Sequence, residues 1–392
     1  MTTSDLSTAL TTHLISSDPP NHAFLIEDLF SKCGIRINGN KPMDIKVNHS
    51  DFYSKILSKW SLGLGESYMD GDWDCDQLDE CINLLLQRDL NETVHGAAKM
   101  RMFLEILRAK LTNLQSKSRA FAVGKIHYDI GNDLFQRMLD PYMMYSCAYW
   151  EHATDLNTAQ EHKLRMICEK LELKRGESLL EIGCGWGGLA AYAAKHYGVN
   201  VLGITISKEQ QLFAQERCKN LPIEIKLMDY RDLKGTFDKI VSVGMFEHVG
   251  DKNYRQYFNH CYRLLSDEGL FLLHTIGSNI TIKRTDPWID TYIFPNGKLP
   301  SPIEITKNID RLFLIEDWHN FGDSYDKTLM AWYHNFEAHW PEISSNYDER
   351  FYRMWRFYLL SCAGFFRSRQ GQLWQLILTK RQRKSVYTSK RL

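Results

Sequence analysis

Apolar positions in AFLIEDLFSKC (23–33) pair Leu25 with Leu29 and Ile26 with Phe30, a spacing that predicts an opening helix. IRINGNKPMDIKV alternates about Asn38-Gly39 and reads as a hairpin. Helical patterns follow near 51–60, 76–89 and 97–114. QSKSRAFAVG (115–124) is basic and breaks the pattern, so it reads as a linker closing an N-terminal domain, 1–114. From residue 178 the period switches repeatedly: strand 178–182, helix 187–197, strand 199–206, helix 207–219. Strands 223–228 and 238–243, helix 252–265 and strand 270–276 continue the alternation. It predicts a parallel sheet with helices on both faces. An insertion (278–310) precedes a strand near 311–316, helices near 325–340 and 347–366, and a last strand at 372–380.

Length and composition sharpen this a little. A chain of 392 residues has room for two domains, and 44% hydrophobic with 24% charged residues is a globular balance. Lys+Arg and Asp+Glu both number 48, so global charge gives no sign of nucleic acid. The tail 380–392 carries six cations and no acid, which leaves the remainder at 42 basic and 48 acidic residues. Such a tail is either a solvated end or an attraction to anionic lipid. The nine cysteines form no C-x-x-C and no zinc-type cluster. With no secretory leader and no apolar run near 18 residues, a reducing cytoplasm is expected. The first 20 residues are polar and read as loosely ordered.

The candidate chemistry centres on LLEIGCGWGG (179–188), which ends a strand and opens a helix. Gly183, Gly185 and Gly188 match a dinucleotide fingerprint; Glu181, Gly183, Gly185 and Gly187 match the first motif of S-adenosylmethionine (SAM) enzymes. A dinucleotide site wants an acid at the end of the second strand. That strand ends GITIS, with Thr205 in the place of the acid and Glu209 and Gln210 one turn later. Glu181 lies beside the loop, where it would repel a pyrophosphate and attract the ammonium and sulfonium of SAM. Asp229, ending the third strand, is placed for an adenine amino group. SAM is therefore the preferred ligand, with a dinucleotide or purely structural glycines as alternatives. The aromatic segment 125–150 before the loop reads as a lid over the cofactor.

Several stretches carry a wider likeness: GLGESYMDGDWDCD (63–76), HYDIGNDLF (127–135), YSCAYW (145–150), GCGWGG (183–188) and GITISKEQ (203–210). MDYRDL (228–233), SVGMFEHVG (242–250), LLHTIGS (272–278), PWIDTYIFPNGKLPS (287–301) and WHNFG with TLMAWY (318–333) extend it. From about residue 23 to about 380 the chain resembles the bacterial cyclopropane-fatty-acyl-phospholipid synthases. The related mycolic acid synthases share the catalytic part but lack such an N-terminal domain. The resemblance implies an α/β fold: a Rossmann-like class I SAM-dependent methyltransferase domain over 125–392, with a smaller α+β N-terminal domain suspected of lipid docking or dimer contacts. It implies transfer of the SAM methyl carbon to a cis double bond of an unsaturated phospholipid, followed by proton loss and ring closure. It implies cofactor contacts from Tyr145, Ser146, Gly183, Gly185, Thr205, Ile206, Gln210, Asp229, Tyr230 and Arg231. It also implies a bicarbonate ion held by Cys147, Gly244, Glu247, His274, Ile276 and Tyr333. A homodimer attached peripherally to the inner face of the membrane, with no nucleic acid, completes the expectation.

The chemistry is consistent with those residue types. An alkene offers no proton to remove, so catalysis needs positioning and charge stabilisation. Aromatic faces stabilise a carbocation by ~0.5–2 kcal/mol each. Glu247 would orient bicarbonate, His274 and Tyr333 would donate to it, and Cys147 would line the site. Taken singly, each residue has a plainer role: a helix cap for Glu247, core packing for His274 and Cys147, an amphipathic helix face for Tyr333. The rival readings are a fatty-acyl C-methyltransferase making methyl- or methylene-branched chains, a nicotinamide oxidoreductase, an RNA cytosine methyltransferase using Cys147, and a non-catalytic lipid-binding protein.

Overall fold

The computed structural model describes residues 22–88 and 131–391. Its N-terminal segment comprises α1 (His22–Lys32), β1 (Lys46–Val47), α2 (Asp51–Lys59), α3 (Ser61–Met69), β2 (Trp73–Asp74) and α4 (Leu78–Gln87). The expected hairpin about Asn38-Gly39 does not form. The buried Asp44 carboxylate accepts the Arg36 and Lys41 amides at 2.8 and 2.9 Å and closes that stretch into a loop. Residues 46–47 pair instead with Trp73–Asp74, beyond two helices. The expected helix at 97–114, the linker and residues 125–130 of the lid segment lie outside the described residues.

The second part begins with α5 (Asn132–Met138) and α6 (Leu156–Lys170), neither of which the periodicity had marked. Then come β3 (Ser178–Ile182), α7 (Gly188–Tyr197), β4 (Asn200–Thr205), α8 (Lys208–Cys218), β5 (Ile223–Leu227) and β6 (Phe237–Val243). The chain continues through α9 (Tyr254–Leu264), β7 (Leu265–Gly277), α10 (Pro287–Tyr292) and α11 (Pro302–Ile309). It closes with β8 (Phe313–Asn320), α12 (Asp323–Ile343), α13 (Glu349–Arg367) and β9 (Gln372–Lys380). The seven strands lie in the order β5-β4-β3-β6-β7-β9-β8. The sheet is mixed rather than all parallel, because β9 inserts between β7 and β8 and runs antiparallel to both.

Side-chain alternation explains the layers. Leu180, Phe271, Leu273, Leu376 and Leu378 face α9 and α11. Their neighbours Leu179, Leu270, Leu272 and Ile377 face α6 and α7. The N-terminal segment shares a core with α12 and α13. Gly364 of α13 lies so close to α4 that an added Cβ would stand 2.4 Å from the Asp79 carbonyl. Arg367 bridges Asp79, Glu80 and Asp326 across the same seam. The basic tail is not loose: Lys380 pairs with Asp267, Arg383 with Glu172 and Arg391 with Asp317, and Tyr387 is buried.

Candidate active site

The turn from β3 into α7 is built by glycines. Gly183, at φ 84°, packs so closely on Met245 that a Cβ would meet its side chain at 2.9 Å. Gly188 opens α7 against the Tyr142 carbonyl, which a Cβ would approach to 2.1 Å. The loop after α5 can therefore lie directly on the helix start. Gly187, expected to touch the cofactor, does not line the cavity. It faces Ala214 and Cys218 of α8, so its part is to let α7 and α8 approach.

A cavity opens at the carboxyl ends of β3, β4 and β6, where open α/β sheets bind ligands. Tyr145, Ser146, Glu181, Gly183, Gly185, Thr205, Ile206, Gln210, Asp229, Tyr230, Arg231 and Gly244 all line it, as do Met245, His248 and the insertion residues Phe294–Asn296. Glu181 is buried with Oε2 free of any hydrogen-bond partner. Burial raises its carboxyl to about 8, against the opposing pull of Lys163 and the Ala190 amide. Thr205 donates to Gln210 Oε1 at 2.8 Å, while Glu209 points to solvent. The Asp229 carboxylate, expected at an adenine amino group, is held by the Arg231 side chain at 2.7 and 2.6 Å. With the Arg231 guanidinium already on Asp229, Glu181 at the glycine turn is the acid left to face a ligand, a place that suits positive charge and disfavours a pyrophosphate.

A second cluster lies beside the cavity. Glu247 follows β6 and accepts the Ile276 amide at 2.6 Å on Oε1; its Oε2 is buried without a partner. Burial raises this carboxyl to about 7. Gly244 donates its amide to the His274 carbonyl at 3.0 Å, which ties the β6 turn to β7. The His274 ring is buried, and burial with the nearby Lys163 and Lys170 charges keeps it neutral. Gln375 Nε2 stands 3.2 Å from His274 Nδ1, and donation there leaves the ring proton on Nε2, an atom without a partner. Cys147 is buried against Thr328, whose hydroxyl also accepts the Ala148 amide and the Trp150 indole. Burial pushes its thiol far up, so it stays protonated and unsuited to nucleophilic attack.

Tyr333 does not join this cluster. Its ring is half-buried under Arg356, and its charged neighbours are Glu337 and Asp79. The phenol facing Cys147, Tyr145 and Glu247 belongs to Tyr325, which stacks on Phe366 with ring centroids 4.4 Å apart. Eight residues separate the two tyrosines, which turns them by roughly 80° on a helix of 3.6 residues per turn. Helical phase would have found Tyr325: it shares the buried stripe of Thr328, Leu329 and Trp332.

Residues 115–376 match the model of the mycolic acid cyclopropane synthetase family. Over 367 residues the chain is 56% identical to the cyclopropane-fatty-acyl-phospholipid synthase of Escherichia coli K12, covering 93% of this chain and 95% of that one. The chain belongs to the cyclopropane synthetase family. A probable fatty acid methyltransferase of Pseudomonas putida is 39% identical over 65% of this chain and 68% of its own. Among solved structures, a mycolic acid cyclopropane synthase complexed with SAH and CTAB superposes with a TM-score of 0.63 and 33% identity. It covers 66% of this chain and 98% of its own. The fold is that of class I SAM-dependent methyltransferases, and the enzyme is a SAM-dependent transferase.

Proposed function

We propose that the enzyme builds cyclopropane rings on unsaturated acyl chains of phospholipids, using SAM as the carbon donor and a bound bicarbonate in the site. The observation that carries this reading is the near full-length likeness to a phospholipid synthase: the likeness covers 93% of the chain, N-terminal segment included, whereas the mycolic acid enzyme covers 66%.

The cavity residues fit SAM: Glu181 and Asp229 meet its positive and hydrogen-bond-donating groups, and the glycine turn lets the backbone approach. SAM supplies a methyl carbon whose bond to sulfur breaks as the alkene electron pair reaches it. Tyr145 and Phe294 line the cavity, and the Trp332 ring lies 5.2 Å from that of Tyr145. Their faces stabilise positive charge developing on the acyl chain. The second cluster fits a small oxyanion bearing one hydroxyl. Glu247 Oε2 and His274 Nε2 are a bare acceptor and a bare donor, and the Tyr325 phenol, which faces Glu247 and Cys147, is a second donor. Bicarbonate held there would supply a base for the proton lost on ring closure; Glu247 would accept a hydrogen bond from it, and His274 and Tyr325 would donate to it.

Among the described residues no helix is long and apolar enough to cross a membrane. Access to lipid at the surface is supported by Ile280 and Ile303, which are 68% and 71% exposed. Both stand on the insertion that walls the cavity, and the Thr281 and Ser301 hydroxyls join their segments at 2.7 Å. Residues 22–88 and 131–391 are proposed to form the N-terminal and catalytic domains of a homodimer, a state that light scattering measures.

The test is to incubate the enzyme with SAM and vesicles of cis-unsaturated phosphatidylglycerol and phosphatidylethanolamine, then examine the released acyl chains by proton NMR. Upfield ring protons are expected. Methyl- or methylene-branched chains would favour a C-methyltransferase instead, and unmodified chains would sink both readings.

A further inference from the structure

Helix α6 sends two buried polar side chains, one turn apart, under the loop that walls the cofactor cavity. Gln160 donates to the Met144 and Ser146 carbonyls at 3.2 and 3.0 Å. Lys163 donates to the Ser146 hydroxyl at 2.8 Å, and both residues are 0% exposed. Within the loop, Asp140 accepts the Tyr142 and Met144 amides, each at 2.8 Å. A lysine in such a place is expensive unless its charge is used. Among the described residues no carboxylate comes within ion-pair distance of it. The groups that feel its charge are Asp140, Cys147 and Glu181, with His274 beyond. Glu181 faces Lys163 and Cys168 of α6, Cys184 of the glycine turn, Cys218 of α8 and the Ala190 amide. Lys163 is the one cation in that set.

A cation beside a site for a cationic donor looks counterproductive. The geometry of Glu181 resolves this. Its carboxyl is buried, has one oxygen without a partner, and borders the cavity. Alone in such surroundings it would hold a proton and offer SAM a neutral group. We propose that Lys163 is a positioning residue for the cofactor, whose ammonium fixes Ser146 and serves as the counter-charge that lets Glu181 ionise when SAM binds. The inference rests on the cavity being the SAM site. It assigns Glu181 a proton that leaves on binding and assigns Lys163 the task of making that loss easy.

The test is SAM binding by titration calorimetry at pH 7 and pH 9, for the wild type and Lys163→Met. Removing one counter-charge raises the Glu181 pKa by about one unit, so SAM binds about tenfold more weakly at pH 7. At pH 9 the gap closes to about twofold or less, because Glu181 is then largely ionised in both proteins and Lys163, which burial lowers to about 8, has itself shed most of its charge. A mere structural prop would weaken binding equally at both pH values. That result, unchanged binding at pH 7, or tighter binding would each overturn the proposal. Should Lys163→Met fail to fold, the wild type decides alone. Titrations at pH 7 in two buffers of different ionisation heat should show about one proton released per SAM. Release of none overturns the inference. Wild-type protein that does not bind SAM at all would instead overturn the reading of the cavity.

Discussion

Two tyrosines on one helix separate what the site geometry says from what motif position says. Tyr325→Phe removes a hydroxyl from the group formed with Glu247 and Cys147 and leaves the ring stacked on Phe366 at 4.4 Å. Packing is kept, so stability should change by about 1 kcal/mol or less. The rate should respond far more. In a buried site with few polar groups, losing one donor aimed at an anion costs roughly 100- to 1,000-fold in turnover, or about 2.7–4 kcal/mol. Tyr333→Phe alters a half-buried ring lying 5.8 Å below the Arg356 guanidinium. Its turnover should stay within about twofold, with at most about 1 kcal/mol lost in stability. The assay is the initial rate of methylene transfer from saturating SAM to unsaturated phosphatidylglycerol vesicles, with thermal melts and SAM titrations as controls. A crippled Tyr333→Phe beside an active Tyr325→Phe would refute the geometric assignment and restore the motif-based one.

Glu247→Gln should lower turnover about 100-fold with SAM affinity nearly unchanged, because the carboxylate acts on the base rather than on the donor. Since burial raises the Glu247 carboxyl to about 7, wild-type turnover should fall as pH drops through about 7 and the acceptor takes a proton; the Gln variant should lack that limb. By linkage, the folded protein keeps a proton that the unfolded chain has released. Stability from this group is therefore present below its ordinary 4.5 and is lost as pH rises through about 7, a trend that melts of the two proteins compare. Gly188→Ala puts a methyl 2.1 Å from the Tyr142 carbonyl, so it should cost about 1–3 kcal/mol in denaturant titrations and weaken SAM binding. Removing residues 381–392 deletes Arg391 from Asp317, where it donates at 2.6 Å. Allowing for the arginine's 40% exposure, that pair contributes about 1–2 kcal/mol, and losing the buried Tyr387 side chain about 1.5–3 kcal/mol more, both read by melting. Flotation with anionic vesicles should weaken only as far as Arg381, Lys384 and Lys390 contribute, and an unaltered melt would show the docked tail to be inert.

The parts of the molecule legible in the sequence are those set by short-range pattern. Strand β3, its glycine turn and Glu181 are read directly because period and turn chemistry act within ten residues. The order of the sheet is another matter. Nothing in QLWQLILTK, with its Gln, Thr and Lys, says that it is inserted between β7 and β8 rather than ending the sheet, and only its place there buries all nine of its residues. The hairpin at Asn38-Gly39 failed because an acid six residues on, Asp44, takes the Arg36 and Lys41 amides, a competition that alternation does not register.

Charge was the least legible feature. Six cations without an acid at the tail suggested a free basic arm, yet three of them meet acids from α6, β7 and β8 or their flanks, which are far off in sequence. Helix α6 went unmarked for a related reason. Gln160 and Lys163 interrupt its apolar stripe at positions that turn inward, so the hydrophobic period fades where the helix is most buried. An inward lysine is disfavoured unless something needs its charge, and that need sits on another element, in the carboxylate of Glu181. Sequence pattern ranks residues by the company they keep along the chain. An active site is assembled from residues whose company is across it, which is why Lys163 became visible only once the sheet brought α6 and β3 together, and why Tyr325, legible as buried from its helical phase, acquired a role only beside Glu247.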